Sequence, residues 1–215
     1  MALTLYFHPL SSFCQKALIA LYENDTPFEK HLVDLMNPAT RAEYQRLWPI
    51  AKMPVLRDEA RGHTVPEATI VIEYLEQYHP GRARLIPSDP DLAREARLKD
   101  RIFDHYVNEP VGKIVTDKLR PAGKNDPQGV EHARGLLATA YGIIEADMSR
   151  RTWAVGDVFS MADCAAAPAL FYANKLAPLG SAFPHTQAYL DRLMARPSYA
   201  RALAEAEPYF RMFPG

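Results

Sequence analysis

Two serines, Ser11 and Ser12, stand immediately ahead of a stretch, Phe13 to Asn24, whose Ala17, Leu18 and Leu21 fall on one helical face. A hydroxyl in that place ordinarily caps the helix. The same turn offers unpaired backbone N–H groups and the positive end of the helix dipole, which together favour a negative charge. Glu67 opens another helical stretch, with Ile70, Val71, Tyr74, Leu75 and Tyr78 on one face. An acidic side chain is favourable there whatever else it does. Ser160-Met161-Ala162-Asp163 has the spacing of a capping box with Asp in place of the usual Glu, so its task is to start a buried helix. The two cysteines, Cys14 and Cys164, are too far apart for a zinc site and too few for a disulfide framework. Cys14, in the first helical turns, reads as a buried apolar residue.

Positioning such groups needs a folded scaffold, and 215 residues suffice for one large or two modest domains. Hydrophobic residues at 48% and charged residues at 24% are ordinary for a globular protein. A formal net charge of −1 leaves no basic surplus for nucleic acid or an anionic membrane. The start, MALTLYFHPLSS, lacks the basic and apolar regions of a signal peptide. No apolar run approaches the roughly 20 residues that span a bilayer. Two isolated cysteines fit a reducing compartment. The expectation is a soluble, cytoplasmic protein with no nucleic-acid or membrane partner and no metal.

Leu3 to Phe7 alternates and reads as a strand, broken by His8-Pro9-Leu10. After the helix to Asn24, Asp25-Thr26-Pro27 forms a stop, and residues 28–35 read as a second strand. A short helix from Pro38 to Leu47 follows. Met53 to Leu56 reads as a strand with its proline at the start or edge, and His63 to Val65 returns from the polar turn 58–62 as a hairpin. The stretch 79–90 holds three prolines, one glycine and no period, so it reads as a linker. Beyond it the pattern is helical: 92–119, with Pro110 expected to kink or divide it, then 130–148, 161–175, 186–195 and 199–205. Mixed structure followed by helices alone points to an α/β unit and an α-bundle.

Four local patterns carry a resemblance. They are Leu5-Tyr6 … Ser11-Ser12-Phe13-Cys14-Gln15-Lys16; Lys52-Met53-Pro54-Val55-Leu56; Pro66-Glu67-Ala68-Thr69-Ile70 … Tyr74-Leu75; and Ser160-Met161-Ala162-Asp163. Any one alone is weak, but in this order and at these separations the chain resembles the glutathione S-transferase family over nearly its whole length. The resemblance implies an α/β thioredoxin-like domain at 1–80 that binds glutathione, a linker at 81–90, and an all-α domain at 91–215 with a hydrophobic substrate site. It further implies a homodimer.

The chemistry so implied is conversion of a thiol, of pKa about 8.5, into a thiolate at neutral pH. By similarity to the serine-type, theta-like and zeta-like classes, Ser11 aligns with the catalytic serine, and Ser12 is the second candidate. The hydroxyl would donate a hydrogen bond to sulfur, and the helix N-terminus would assist. Tyr6 is a rival, ranked below Ser11 because tyrosine classes lack the serine loop. Cys14 stands where a thioredoxin-like fold carries the second cysteine of Cys-x-x-Cys. Serine replaces the first, the nucleophile, which argues against disulfide exchange.

The resemblance also implies that Met53-Pro54 is cis and that the Met53 backbone pairs with the cysteinyl backbone of glutathione as an added strand would. Glu67 and the helix start at Ala68 would hold the γ-glutamyl end. Ala68 replaces the family's serine, and a hydrogen bond to a charged group is worth about 1.5–3 kcal/mol. Trp48 stands where asparagine is common, and Lys52 is the best cation for the glycyl carboxylate. Phe103, Tyr106 and Tyr172 are the aromatic candidates for the second substrate's cleft, while His8 and His105 receive no role. The expected activity is conjugation of glutathione to an apolar electrophile. A zeta-like isomerase is an alternative from which Phe13 and Gln15 depart. A non-catalytic binding module is a third, motivated by Ala68 and Trp48.

Overall fold

Alternation in the first strand becomes β1, Leu3–Phe7, with Leu3, Leu5 and Phe7 buried on one face and Tyr6 half-buried on the other, in a computed structural model that describes residues 3–214. After α1, Ser12–Glu23, comes β2, Glu29–Leu32, parallel to β1. This strand is shorter than the expected 28–35. Its last partner is Phe7, and Pro9 just beyond has no N–H to extend the ladder. The helix α2, Pro38–Leu47, lies on the Tyr6 face of the sheet, over a small core of Val33, Tyr44, Ala51 and Val55.

The strand β3 runs Val55–Asp58, later than the expected 53–56, because Pro54 has no N–H to offer the ladder; the Met53-Pro54 bond is cis. It pairs antiparallel with β1 and with β4, His63–Pro66, giving the order β2-β1-β3-β4. Gly62 takes the left-handed conformation the hairpin turn requires, at φ +68°. The helix α3, Ala68–Tyr78, packs with α1 on the Leu5 face. This is the thioredoxin-like α/β arrangement expected.

The stretch after α3 is firmly held. Ala83 N–H donates to Asn24 Oδ1 at 2.7 Å, Leu85 N–H to Glu76 Oε1 at 2.6 Å, and Met161 N–H to the Leu85 carbonyl at 2.8 Å. Gly81 sits so close to Asn24 that a Cβ would lie 2.3 Å from it.

The remaining elements are helical. The helical stretch expected over 92–119, with a kink or division at Pro110, is three pieces: α4, Pro90–Arg101; a π-helical segment, Ile102–Asn108; and α5, Glu109–Lys118. The departure from α geometry therefore falls upstream of Pro110. Proline cannot donate to the carbonyl four residues back, and Glu109 N–H instead reaches Asp104, five back. Pro110 itself sits in the first turn of α5, where it is tolerated. Next come α6, Pro127–Met148; α7, Met161–Leu176; α8, Pro184–Met194; and α9, Pro197–Ala206. The capping box starts α7 as expected. Asp163 accepts from Ser160 N–H at 2.8 Å, Ala154 N–H at 2.8 Å and the Tyr189 hydroxyl at 2.5 Å. One continuous apolar core runs from β1 through α1 and α3 into α7.

Lys16 crosses this core. Its ammonium, 1% exposed, meets Asp100 Oδ1 at 2.5 Å, Asp104 Oδ2 at 2.8 Å and Thr69 Oγ1 at 2.8 Å. It thereby ties α1 to α3, α4 and the π-helical segment. A buried charge is tolerable only when paired and hydrogen-bonded, and removing one partner strands the others.

Unfolding measurements can probe two of the buried charged sites. Lys16→Met leaves two carboxylates short of their cation, so urea unfolding should show about 3–5 kcal/mol less stability. Asp58 is fully buried; that burial pushes its carboxyl up. Hydrogen bonds from His79 Nε2 and the Tyr74 hydroxyl, each 2.8 Å, and from Arg61 N–H, outweigh this and hold it below the usual range. It therefore adds stability above the ordinary carboxylate pKa of about 4, lost as pH falls through its own lower value. Urea unfolding measured from pH 6 down to pH 3, about one unit below that ordinary value, should weaken less steeply in Asp58→Asn.

Candidate functional site

Where the sheet meets the helices, a cavity of about 180 Å³ opens between the loop ahead of β3, the start of α3 and the π-helical segment. On the sheet side its wall is Lys52, Met53, Pro54, Glu67 and Ala68, all five singled out from sequence as ligand-binding. On the helical side it is Arg101, Asp104, His105 and Glu109, with Phe13 of α1 between the two walls.

Local geometry explains each side. The Tyr44 hydroxyl donates to the Lys52 carbonyl at 2.9 Å and fixes the loop that enters the cis bond. Glu67 holds φ +70°, a left-handed conformation costly for a residue with a Cβ and one that clusters at ligand sites. Its side chain makes no capping bond, so the first N–H groups of α3 keep their donor capacity. Facing them, Asp104 Oδ2 is held by Lys16 and Arg101, whereas the buried Oδ1 has no hydrogen-bond partner among the described residues. Burial pushes the Asp104 carboxyl up, Lys16 pulls it down, and neighbouring Asp100 pushes up again, leaving it above the usual range. An uncapped helix start beside an unpaired carboxylate oxygen suits a ligand end that carries both a carboxylate and an ammonium.

Ser11 is the N-cap of α1, accepting from Cys14 N–H at 3.3 Å. Ser12 is the first residue of the helix. Ser12 immediately precedes Phe13, but neither serine is among the residues that line the cavity. Tyr6 points to the other face of the sheet, its ring 4.6 Å from His31. Trp48 packs into the small core under α2 and leaves the cavity clear.

The three aromatic candidates are not brought to the cavity. Phe103 and Tyr172 are core residues, 2% and 3% exposed, and the Tyr172 hydroxyl accepts from Gln15 Nε2 at 3.0 Å. Tyr106 is solvent-exposed. The helical wall is polar instead, because the π-helical segment turns Asp104 and His105 to the cavity and sends Phe103 into the core. Arg101, Asp104, His105 and Glu109 went unassigned from sequence. Their spacing of three, four and eight residues marks one helical face, yet nothing in the sequence says that this face meets Glu67.

Among the described residues no group of three or more His, Cys, Asp or Glu side chains could hold a metal ion. None of the described helices is long and apolar enough to cross a membrane.

Comparison with known proteins bears on the same residues. The family model for the glutathione S-transferase N-terminal domain matches residues 5–83, and that for the C-terminal domain matches 104–197. The chain is 25% identical to glutathione S-transferase hmp2 of Hypomyces subiculosus, covering 96% of this chain and all of that one. It is also 25% identical to a probable maleylacetoacetate isomerase of Caenorhabditis elegans, covering 95% and 94%. Among solved structures, a glutathione S-transferase of Methylobacterium radiotolerans in complex with glutathione sulfonate superposes with a TM-score of 0.83. It is 28% identical and covers 94% of each chain.

The buried thiol of Cys14 yields a direct check. Burial pushes it up to about 12, only partly offset by the hydrogen bonds with Ser11 and the His8 backbone. The thiolate is the reactive form. Native protein at pH 8 should therefore leave Cys14 unlabelled by iodoacetamide, as read by peptide mass spectrometry, and denatured protein should label fully.

Proposed function

The chain belongs to the glutathione S-transferase family, and on that premise we propose that it joins the sulfur of glutathione to an electrophilic small molecule. The observation that carries this reading is the single cavity shared by the cis Met53-Pro54 bond, the uncapped start of α3 and the unpaired Asp104 oxygen. In this reading the Met53 backbone pairs with the cysteinyl residue. Lys52 meets the glycyl carboxylate, and the α3 N–H groups at Ala68 take the glutamyl carboxylate. Glu67 and Asp104 take the ammonium. Ala68 has no hydroxyl to offer the glutamyl end, and Asp104 and Arg101 on the helical wall make up for it.

Ser11, with Ser12 beside it, donates to the sulfur and stabilises the thiolate, and the α1 dipole adds to that. Bound this way, nucleophile and acceptor react as neighbours rather than by collision. The polar wall favours an acceptor with a polar or charged group of its own over a wholly apolar one. We read 1–80 as the glutathione-binding domain, 81–90 as the linker and 91–215 as the domain that meets the acceptor. The protein would act in the cytoplasm as a homodimer, for which exposed Ile70 on α3 and Leu98 on α4 offer apolar surface.

A second reading, glutathione-dependent isomerisation of an unsaturated diacid, is favoured by the relative named for that activity and by Arg101 on the wall. Turnover of such a diacid without net consumption of glutathione would select it over conjugation.

Calorimetric titration should give a micromolar Kd for glutathione. Ser11→Ala should leave that Kd within about threefold and lower kcat with an aryl-halide acceptor about 10–100-fold, the worth of one hydrogen bond to a charged group. Unchanged turnover would remove the serine from the mechanism.

A further inference from the structure

A serine hydroxyl can serve a ligand only if the turn that carries it is held in place. The turn ahead of α1 is closed largely by its own atoms. Ser11 N–H donates to the His8 carbonyl at 3.0 Å, and Leu10 N–H donates to His8 Nδ1 at 3.2 Å. Gln15 N–H returns to the Ser11 carbonyl at 2.9 Å as the helix begins. Bonds within one short segment fix its shape but not its place in the molecule.

The place is set by a side chain, that of Gln15, which is fully buried in α1. Its Nε2 donates to the Pro9 carbonyl at 2.8 Å and to the Tyr172 hydroxyl of α7 at 3.0 Å. Pro9 fixes which way the amide lies, because a carbonyl only accepts and must face the NH2 group. Tyr172 is a firm anchor, its ring centroid 5.0 Å from that of Phe213 and 5.2 Å from that of Phe171. One amide thus joins the backbone just ahead of Ser11 to a residue 157 positions further along the chain. Gln15 Oε1 is buried with no hydrogen-bond partner among the described residues. That is unfavourable by itself, and the fold retains it where both amide hydrogens serve the serine turn and its anchor.

From these contacts we propose that Gln15 is the positioning residue of the serine turn. By tying Pro9 to Tyr172 it holds Ser11 Oγ where the hydroxyl meets the sulfur of glutathione. The inference rests on the reading given above, in which Ser11 donates to that sulfur. Gln15 has no exposed surface with which to meet a ligand, so its whole effect passes through Ser11. A hydrogen bond weakens steeply as its geometry departs from the optimum. A donor that stabilises an anion is most effective when it is held in place beforehand, at no cost of reorganisation during the reaction.

The test uses Gln15→Met, which keeps the length of the side chain and removes both donors. With an aryl-halide acceptor it should lower kcat about tenfold and leave the calorimetric Kd for glutathione within about threefold. It should also raise by about one unit the pH at which the ultraviolet absorbance of the bound thiolate appears, which is tenfold in thiolate at a fixed lower pH. A merely structural role, in protein shown to be folded by circular dichroism, would move neither kcat against Kd nor the thiolate titration. In a Ser11→Ala background the same substitution should cost less than about twofold, because residues that act through one another do not add. Tyr172→Phe keeps the Gln15–Pro9 bond and removes only its anchor. It should lower kcat about threefold with the same dependence on Ser11, and it carries the test should Gln15→Met not fold. Unchanged kcat and thiolate titration, or an equal loss with and without Ser11, would overturn this inference and leave the glutathione reading standing. Full turnover in Ser11→Ala, or failure of the unaltered protein to bind glutathione, would overturn the serine reading and this inference with it.

Discussion

An ammonium sealed from water, that of Lys16, sets the geometry on which the cavity depends. A charge in that position is tolerable only if carboxylates come to meet it. Asp100 and Asp104 arrive from α4 and the π-helical segment, and Thr69 arrives from α3. Each partner lies within a few residues of a cavity wall. Thr69 follows Glu67 and Ala68, Asp104 is itself on the wall, and Lys16 is one turn beyond Phe13. Arg101 completes the cluster through Asp100 and Asp104, both at 2.6 Å. The apolar core joining α1 to α7 supplies adhesion without direction, and the ion cluster supplies register between the two walls.

Held by that register, the site concentrates what the fold elsewhere avoids. Glu67 carries a backbone conformation normally left to glycine, and α3 begins without a side-chain cap. Asp104 buries an oxygen with no partner among the described residues. Each is unfavourable by itself, and in the reading proposed above each would be relieved by a zwitterionic ligand end whose carboxylate meets the helix start and whose ammonium meets the aspartate. Departures from local rules cluster where binding compensates for them. The capping box at Ser160, by contrast, satisfies the helix start with its own residues, and Asp163 finds further partners in Ala154 and Tyr189, in keeping with a purely structural task.

Much of this was legible in the sequence. Strand alternation in Leu3–Phe7, the helical stripes and the Ser160–Asp163 spacing report local physics, and local physics fixed those elements. The five residues from Lys52 to Ala68 that line the cavity were singled out through resemblance. Other features depend on long-range contacts. Where β2 stops is set by the end of its partner β1. The π-helical segment arises because Pro110 acts on the turn before it, so the expected kink moved upstream and carried Asp104 and His105 to the cavity. Phe103 and Tyr172 read as cleft residues because an aromatic stripe looks the same whether it faces core or ligand. Lys16, a cation in an apolar helix, was a signal of the ion cluster, but its partners lie 84 and 88 residues away along the chain.

The central claim is that this cavity holds glutathione with its sulfur at the serine turn. A crystal structure of the protein soaked with glutathione tests it most directly. The account predicts the peptide lying along Met53 with its sulfur within hydrogen-bonding distance of Ser11 Oγ and its ammonium against Asp104. Clear density for the peptide elsewhere, or a sulfur directed away from both serines, would contradict it.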